Sequence, residues 1–332
     1  MGFRALWVKE TPEGNFQRSI IERNIDDLPA GDVLVRVQYS SLNYKDALSA
    51  TGNKGITKKY PHTPGIDAAG VVELSRDPRF AAGDEVVVTG HDLGMNTCGG
   101  FAQFIRVPGS WVIAKPTNYS VKESMIIGTA GFTAGVALYK MERMGLSPDQ
   151  GPVVVTGASG GVGSMAVALL ANAGYEVLAV TGKVNVGEYL HYLGAKRIES
   201  REFVNDQSGK SLLKPQWAGA IDTVGGNVLN TLLKGSRTEG CVVSTGLVGS
   251  PKLDTTVYPF ILNGVSLIGV GSAETPADIR LRVWDNLNTK WNLKSKLNAI
   301  GKEVSIQQLN DVYFDHILAG NTTGRIVVNT NA

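Results

Sequence analysis

The stretch VVVTGASGGVGSMAVALLANAG, residues 153–174, decides how the chain folds. A β-branched apolar run leads into a glycine turn, and the turn opens a helix of small and aliphatic residues. Aligned on the fingerprint GxGxxG, it supplies Ala158, Gly160 and Gly163. Gly157, just before Ala158, can take over the tight turn. Gly160 lets a pyrophosphate approach the backbone, and Gly163 lets the helix lie close to the strand. The N–H groups of Ser159, Gly160, Gly161 and Val162 would then face phosphate oxygens from a helix N-terminus. A bare fingerprint is weak, but this one follows a strand, opens a helix and leads into a second strand, YEVLAVTG.

That second strand selects the cofactor. Sites for NAD usually end it with an acid that accepts from the ribose 2′-OH. Here it ends in Thr181-Gly182-Lys183. No carboxylate repels a 2′-phosphate, and a hydroxyl, a small residue and a cation suit one. The reading is NADPH, with Lys183 alone otherwise a solvated surface lysine. Arg201, after the third strand, is a second candidate cation near the adenine end.

Working outward, strands and helices alternate: NVGEYLHYLGA, KRIES, GAIDTVGG, NVLNTLLKGS, CVVSTG and VSLIGVGS. This order predicts an α/β, doubly wound parallel sheet with helices on both faces. Before it, SVKESMIIGTAGFTAGVALYKMERM (120–144) has helical period, with Ser120 as N-cap and Glu123 completing a capping box. Earlier still the chain is β-rich. DVLVRVQYSSL, AAGVVEL, DEVVVTG and FAQFIRVP are short and Val-rich, separated by turn residues, as in a small barrel or sandwich. The expected partition is a β-rich domain over 1–122, a nucleotide domain over 123–288, and a tail, 289–332, whose GRIVVN run reads as a strand that returns to the first domain.

Composition fits a folded protein of 332 residues: 43% hydrophobic, 19% charged, net charge +2. No basic block points to nucleic acid or an acidic membrane. Cys98 and Cys241 are the only cysteines. They exclude a disulfide framework and a four-Cys zinc site, and suit a reducing compartment. MGFRALWVKETPEG has no apolar signal core and no run of 18 apolar residues occurs, so the expectation is a cytoplasmic protein without a membrane span. The four histidines, including His62, show no metal-binding spacing.

SLNYKDA, PGIDAAG, AAGDEVV, IGTAGFTA, VTGASGGVGS, WAGAIDTVGG and TTVYPFIL resemble the medium-chain dehydrogenase/reductase superfamily over the whole chain. More narrowly, they resemble its zinc-free quinone oxidoreductase branch and the acrylyl-CoA reductase group. The resemblance implies a GroES-like catalytic domain, a Rossmann domain and a homodimer formed along VSLIGVG (265–271). Zinc-binding members use a Cys, a His in a Gly-His-Glu run, and a second Cys. At the matching places stand Asn43, Asp67 and Thr129, a poor set for zinc. No metal is expected.

Without zinc, hydride from NADPH needs an acceptor with its own electron sink, such as a C=C bond conjugated to a carbonyl. The implied substrate is a short enoyl-CoA, with quinones as the alternative and a catalytically silent NADPH-binding protein as the remote one. The resemblance marks Tyr44 as proton donor or as the hydrogen bond that orders nicotinamide and substrate, with interdomain packing as its other reading. Asn43 either donates to substrate or ribose or caps a helix. Asp67 orients Tyr44 or Lys45, or buffers a proton, or forms a buried ion pair with Lys45 or Arg106. Asp46 is read as structural. Thr129 and Thr133, one helical turn apart, would line the nicotinamide side. Leu247, Ser272 and Asn321 complete the implied cofactor contacts.

Overall fold

A computed structural model describes residues 1–332. The chain forms two compact units, one of residues 1–129 with 297–332, the other of residues 130–296. In the second unit, six strands build a wholly parallel sheet. Its order is Arg197–Glu199, Val177–Val180, Val153–Thr156, Trp217–Asp222, Ser236–Ser244, Ser266–Gly269. Numbered by sequence within the unit, that order is the doubly wound 3-2-1-4-5-6. Val153, Val154 and Val155 are fully buried, as a central parallel strand covered on both faces requires.

The glycine turn packs as its spacing predicts. Gly157 takes a left-handed φ of 58°, and Gly160 caps the helix Gly161–Asn172. A Cβ on Gly163 would stand 2.1 Å from the Gly157 carbonyl oxygen, so only glycine lets the helix approach the turn.

The first unit holds a seven-stranded sheet. Its main path runs Gly301–Ser305, Arg325–Asn329, Val33–Ser41, Asp67–Ser75, Glu85–Thr89, Val112–Ala114, with Phe104–Val107 also paired to Val33–Ser41. The strand in GRIVVN therefore lies antiparallel beside Val33–Ser41. Inward Val33, Val35, Val37, Val72, Val86 and Val88 form one core cluster, with Ile105 and Val107. The hairpin of Gly2–Glu10 with Phe16–Asn24 is an addition that the sequence reading did not single out.

The helix at Val121–Arg143 starts with the expected capping box: Ser120 N donates to Glu123 and Glu123 N donates to Ser120 Oγ. It is not continuous, however. Gly128 breaks it with φ 46° and ψ −156°. No helix is long and apolar enough to cross a membrane.

Gly163→Ala is expected to destabilise the fold by about 1–3 kcal/mol through overpacking, read as a lower urea midpoint.

Candidate functional site

The polar run at 43–46 divides by burial. Asn43 and Asp46 are inside, while Tyr44 is 42% exposed and Lys45 is exposed. Asn43 takes extended backbone angles and caps the helix Tyr44–Ala50. Asp46, in the first turn, reaches back to accept from Asn43 N at 2.7 Å and from Ile66 N at 2.8 Å. These two bonds fix where the helix begins and so where Tyr44 stands. Burial, and then the neighbouring Asp67 charge, push the Asp46 carboxyl up to about 7.

Asp67 is fully buried at the start of its strand. It accepts from Ser41 Oγ at 2.6 Å, Asn43 Nδ2 at 2.8 Å, Thr129 N at 2.9 Å and Thr129 Oγ1 at 2.5 Å. Its carboxylate thus sits against the N-terminus of the helical segment that restarts after Gly128, a favourable place for a negative charge. A Cβ on Gly128 would fall 2.7 Å from the same carboxylate, which explains why glycine forms the break.

The cation of this centre is Arg325, from the last strand, which sequence reasoning missed. Its Nη2 lies 3.5 Å from Asp67 Oδ2, with side chains 3% and 0% exposed. The guanidinium also donates to Ser41 Oγ at 2.7 Å, Leu42 O at 2.9 Å, Asn43 Oδ1 at 3.1 Å and Ile126 O at 3.2 Å. Burial lowers its pKa, opposed by Asp67 and Asp46.

The ion-pair expectation changes accordingly. Asp67 pairs with Arg325, not with Lys45 or Arg106; Arg106 donates to Leu28 O and Pro29 O instead. Asp67 is sealed from solvent with bonds from four residues, Ser41, Asn43, Thr129 and Arg325, and neither Tyr44 nor Lys45 is among them. Asn43 commits its amide N–H groups to Asp67 at 2.8 Å and to Ser41 O at 3.2 Å and caps the helix Tyr44–Ala50, the second of its two readings.

A zinc ion does not fit here. The expected match of Asp67 to the histidine is corrected by one place: set against Gly-His-Glu, the run Gly65-Ile66-Asp67 puts apolar Ile66 at the imidazole position and Asp67 after it. The remaining donors are an amide, a hydroxyl and a carboxylate already bonded to a guanidinium, with no thiolate or imidazole among them.

The second unit gathers the residues read as phosphate ligands. The Gly160 N–H closes the turn on Gly157 O at 2.9 Å, so it is not offered outward as expected. The first intrahelical bond runs from Ser164 N to Gly160 O, which leaves the N–H groups of Gly161 and Val162 in the open first turn. Ser159 Oγ and Thr181 Oγ1 are 3.0 Å apart, and Lys183 N donates to Thr181 Oγ1 at 3.1 Å. A Cβ on Gly182 would meet Arg201 Nε at 2.1 Å, so Arg201 lies directly over the glycine that precedes Lys183. Partial burial lowers the Lys183 pKa. Glu199, on the neighbouring strand, is paired with Arg197. This arrangement of hydroxyls, open helix N–H groups and two cations fits a dinucleotide carrying a 2′-phosphate.

Opposite, Asp222 was not anticipated. It is buried and accepts from Thr156 Oγ1 at 2.6 Å, Gly225 N at 2.7 Å and Val224 N at 3.1 Å. It thereby ties the ends of two central strands together. Leu247 stands exposed over the Gly225 turn. Ser272 is half-buried in the turn after the edge strand, Thr133 is buried in the long helix, and Asn321 is exposed in the first unit.

Comparison with known proteins agrees with this architecture. Residues 29–117 match the alcohol dehydrogenase GroES-like domain and residues 161–289 the zinc-binding dehydrogenase family. The acrylyl-CoA reductase AcuI of Ruegeria pomeroyi is 42% identical over 331 residues, covering 99% of this chain and 100% of that one. The putative quinone oxidoreductase YhfP of Bacillus subtilis is 45% identical over 303 residues, 91% and 92% of the two chains. Among solved structures, the Salmonella enterica yhdH oxidoreductase in complex with NADP superposes with a TM-score of 0.94 at 45% identity, covering 98% and 99%. The Bacillus subtilis protein yhfP with NAD bound reaches 0.96 at 42%, covering 99% of each chain.

Arg325→Met is expected to cost about 3–5 kcal/mol by leaving Asp67 buried without its cation, with part of the loss recovered in the Arg325→Met, Asp67→Asn double variant. Asp46 binds a proton near pH 7 when folded but only near 3.8 when unfolded. Its contribution to stability is therefore present below about pH 4 and lost as pH rises to about 7, at no more than about 1.4 kcal/mol per unit. Urea midpoints of Asp46→Asn and the wild type are expected to diverge across that window and run parallel above it.

Proposed function

The chain belongs to the medium-chain dehydrogenase/reductase superfamily, in the branch that holds acrylyl-CoA reductases and zinc-free quinone oxidoreductases, and from that premise we propose that it is an NADPH-dependent reductase of activated C=C bonds. The substrate class is a short enoyl-CoA. Full-length likeness to proteins named acrylyl-CoA reductase supports it. The observation that supports the mechanism is the Asp67–Arg325 centre, which includes two of the residues that the resemblance matches to the zinc ligands' region, Asn43 and Asp67, and is buried.

Bound NADPH supplies the hydride. Gly161 and Val162 N–H groups and Ser159 hold its pyrophosphate; Thr181, Gly182, Lys183 and Arg201 hold its 2′-phosphate. Thr133, Leu247, Ser272 and Asn321 serve the nicotinamide half. An enoyl thioester accepting hydride at its β-carbon gathers charge on the carbonyl oxygen and needs a proton at the α-carbon. Tyr44, the exposed hydroxyl at the helix start, donates that proton or a hydrogen bond to the oxygen. Asn43, Asp67 and Thr129 act through it, by fixing the backbone from which Tyr44 projects.

The second reading is NADPH:quinone oxidoreduction, favoured by the likeness to YhfP and served by the same residues. The reading includes a homodimer through the edge strand Ser266–Gly269, with exposed Leu267, Ile261 and Leu262 alongside. It also includes a cytoplasmic location, which the free Cys98 and Cys241 suit.

Consumption of NADPH with acrylyl-CoA, crotonyl-CoA and a soluble benzoquinone tests these readings. The expected result is turnover of the thioesters, undiminished by a chelator, with kcat lowered about 10²-fold or more in Tyr44→Phe. Turnover of quinone alone sinks the enoyl-CoA reading, and no turnover at all leaves a nucleotide-binding protein. Lys183→Ala and Arg201→Ala are each expected to raise KM for NADPH roughly tenfold while leaving KM for NADH unchanged, since each removes a charge-assisted bond to the 2′-phosphate.

A further inference from the structure

Arg280 lies in the helix Ala277–Asn288 and is only 4% exposed. Its Nη2 donates to the main-chain carbonyls of Ser272 at 3.2 Å and Ala273 at 2.9 Å. The guanidinium carbon stands 4.8 Å from the centre of the Phe132 ring. Phe132 in turn stacks on Trp284, centroids 6.0 Å apart and planes at 12°, one helical turn beyond Arg280. A guanidinium is costly to bury, and an aliphatic side chain would fill the same space without that cost. What an aliphatic chain lacks is the planar, fork-shaped cation, one arm of which donates to both carbonyls while its face lies on an aromatic ring.

The carbonyls it grips have a meaningful location. Ser272 and Ala273 follow the strand Ser266–Gly269, which runs parallel to its neighbours. Their turn therefore emerges at the same edge of the sheet as the glycine turn, where doubly wound sheets bind ligands. In the strand order this is the end far from Lys183 and Arg201. Phe132 is followed directly by Thr133. One side chain thus joins the turn carrying Ser272 to the helix carrying Thr133.

We infer that Arg280 is a positioning residue: it clamps the 271–275 turn to the Phe132–Thr133 segment, and so shapes the half of the site that receives the nicotinamide. This rests on the nucleotide reading proposed above. The test compares binding of NADPH with binding of adenosine 2′,5′-bisphosphate, which probes the adenine half alone, by calorimetry on wild type, Arg280→Met and Arg280→Lys. Arg280→Met keeps the packing and loses the fork; Arg280→Lys keeps the charge and loses the fork, and serves if the methionine variant fails to fold. The expected result is NADPH binding weakened roughly tenfold, with bisphosphate binding kept within about twofold, the lysine variant showing the same pattern to a smaller degree. The clamp is overturned if both ligands weaken together, as general loosening would cause, or if a folded variant binds NADPH as wild type does. A wild-type protein that binds neither ligand overturns the nucleotide reading itself, and is distinguished from those outcomes because no variant is needed to see it.

Discussion

The first unit is organised around one buried guanidinium. Arg325 bonds to Ser41, Leu42, Asn43, Ile126 and Asp67, which come from two strands, a helix cap and the end of a helical segment. Removing an ion from water is unfavourable by several kcal/mol, and only a full set of acceptors offsets it. Such a pair adds little net stability over an apolar substitute. Its contribution is placement, because the planar fork accepts few arrangements of its partners. Asn43 is held on both its amide oxygen and its amide nitrogen, so the first residue of the following helix, Tyr44, has a defined origin.

The second unit repeats the device with a neutral donor set. Asp222 is buried at a strand end and gathers the Thr156 hydroxyl with two N–H groups of the Val224–Gly225 turn. Thr223 closes the link from the other side, its hydroxyl donating to Thr156 O at 3.0 Å. Loops that must meet a ligand carry little core of their own, so a buried carboxylate with several donors substitutes for packing.

What was legible in the sequence was what is encoded locally. The glycine turn, the alternation of strands and helices, and the Ser120–Glu123 capping box depend on spacings of a few residues, and each stands where its pattern implied. Arg325 carries no local signal, because its partners lie far along the chain, and the bond from Asp222 to Thr156 and the stacking of Arg280 on Phe132 are equally remote in sequence. The break at Gly128 hid inside an apolar run that keeps helical period on both sides; its one trace is a glycine where the backbone must admit a carboxylate. Asn43 and Asp67 invited an active reading because polar residues near a glycine-rich strand look available. Burial, which no spacing reports, separates them from Tyr44.

Burial first, and charge balance in this centre second, explain Asp46. A low-dielectric site with one guanidinium can hold one carboxylate as an ion pair; a second, unpaired negative charge is strongly disfavoured. Asp67 is nearer Arg325 and bonded to it, so the excess falls on Asp46, which burial and its neighbour push up to about 7. The two N–H groups that Asp46 accepts pull the other way and keep the ionised form within reach. Losing the proton strengthens those bonds, which bind the start of the Tyr44 helix more firmly, yet it brings a second charge into the core. The protein therefore tightens the base of its exposed tyrosine and weakens its fold in the same deprotonation step, and both effects fall in the pH range where the Asp46 carboxyl titrates.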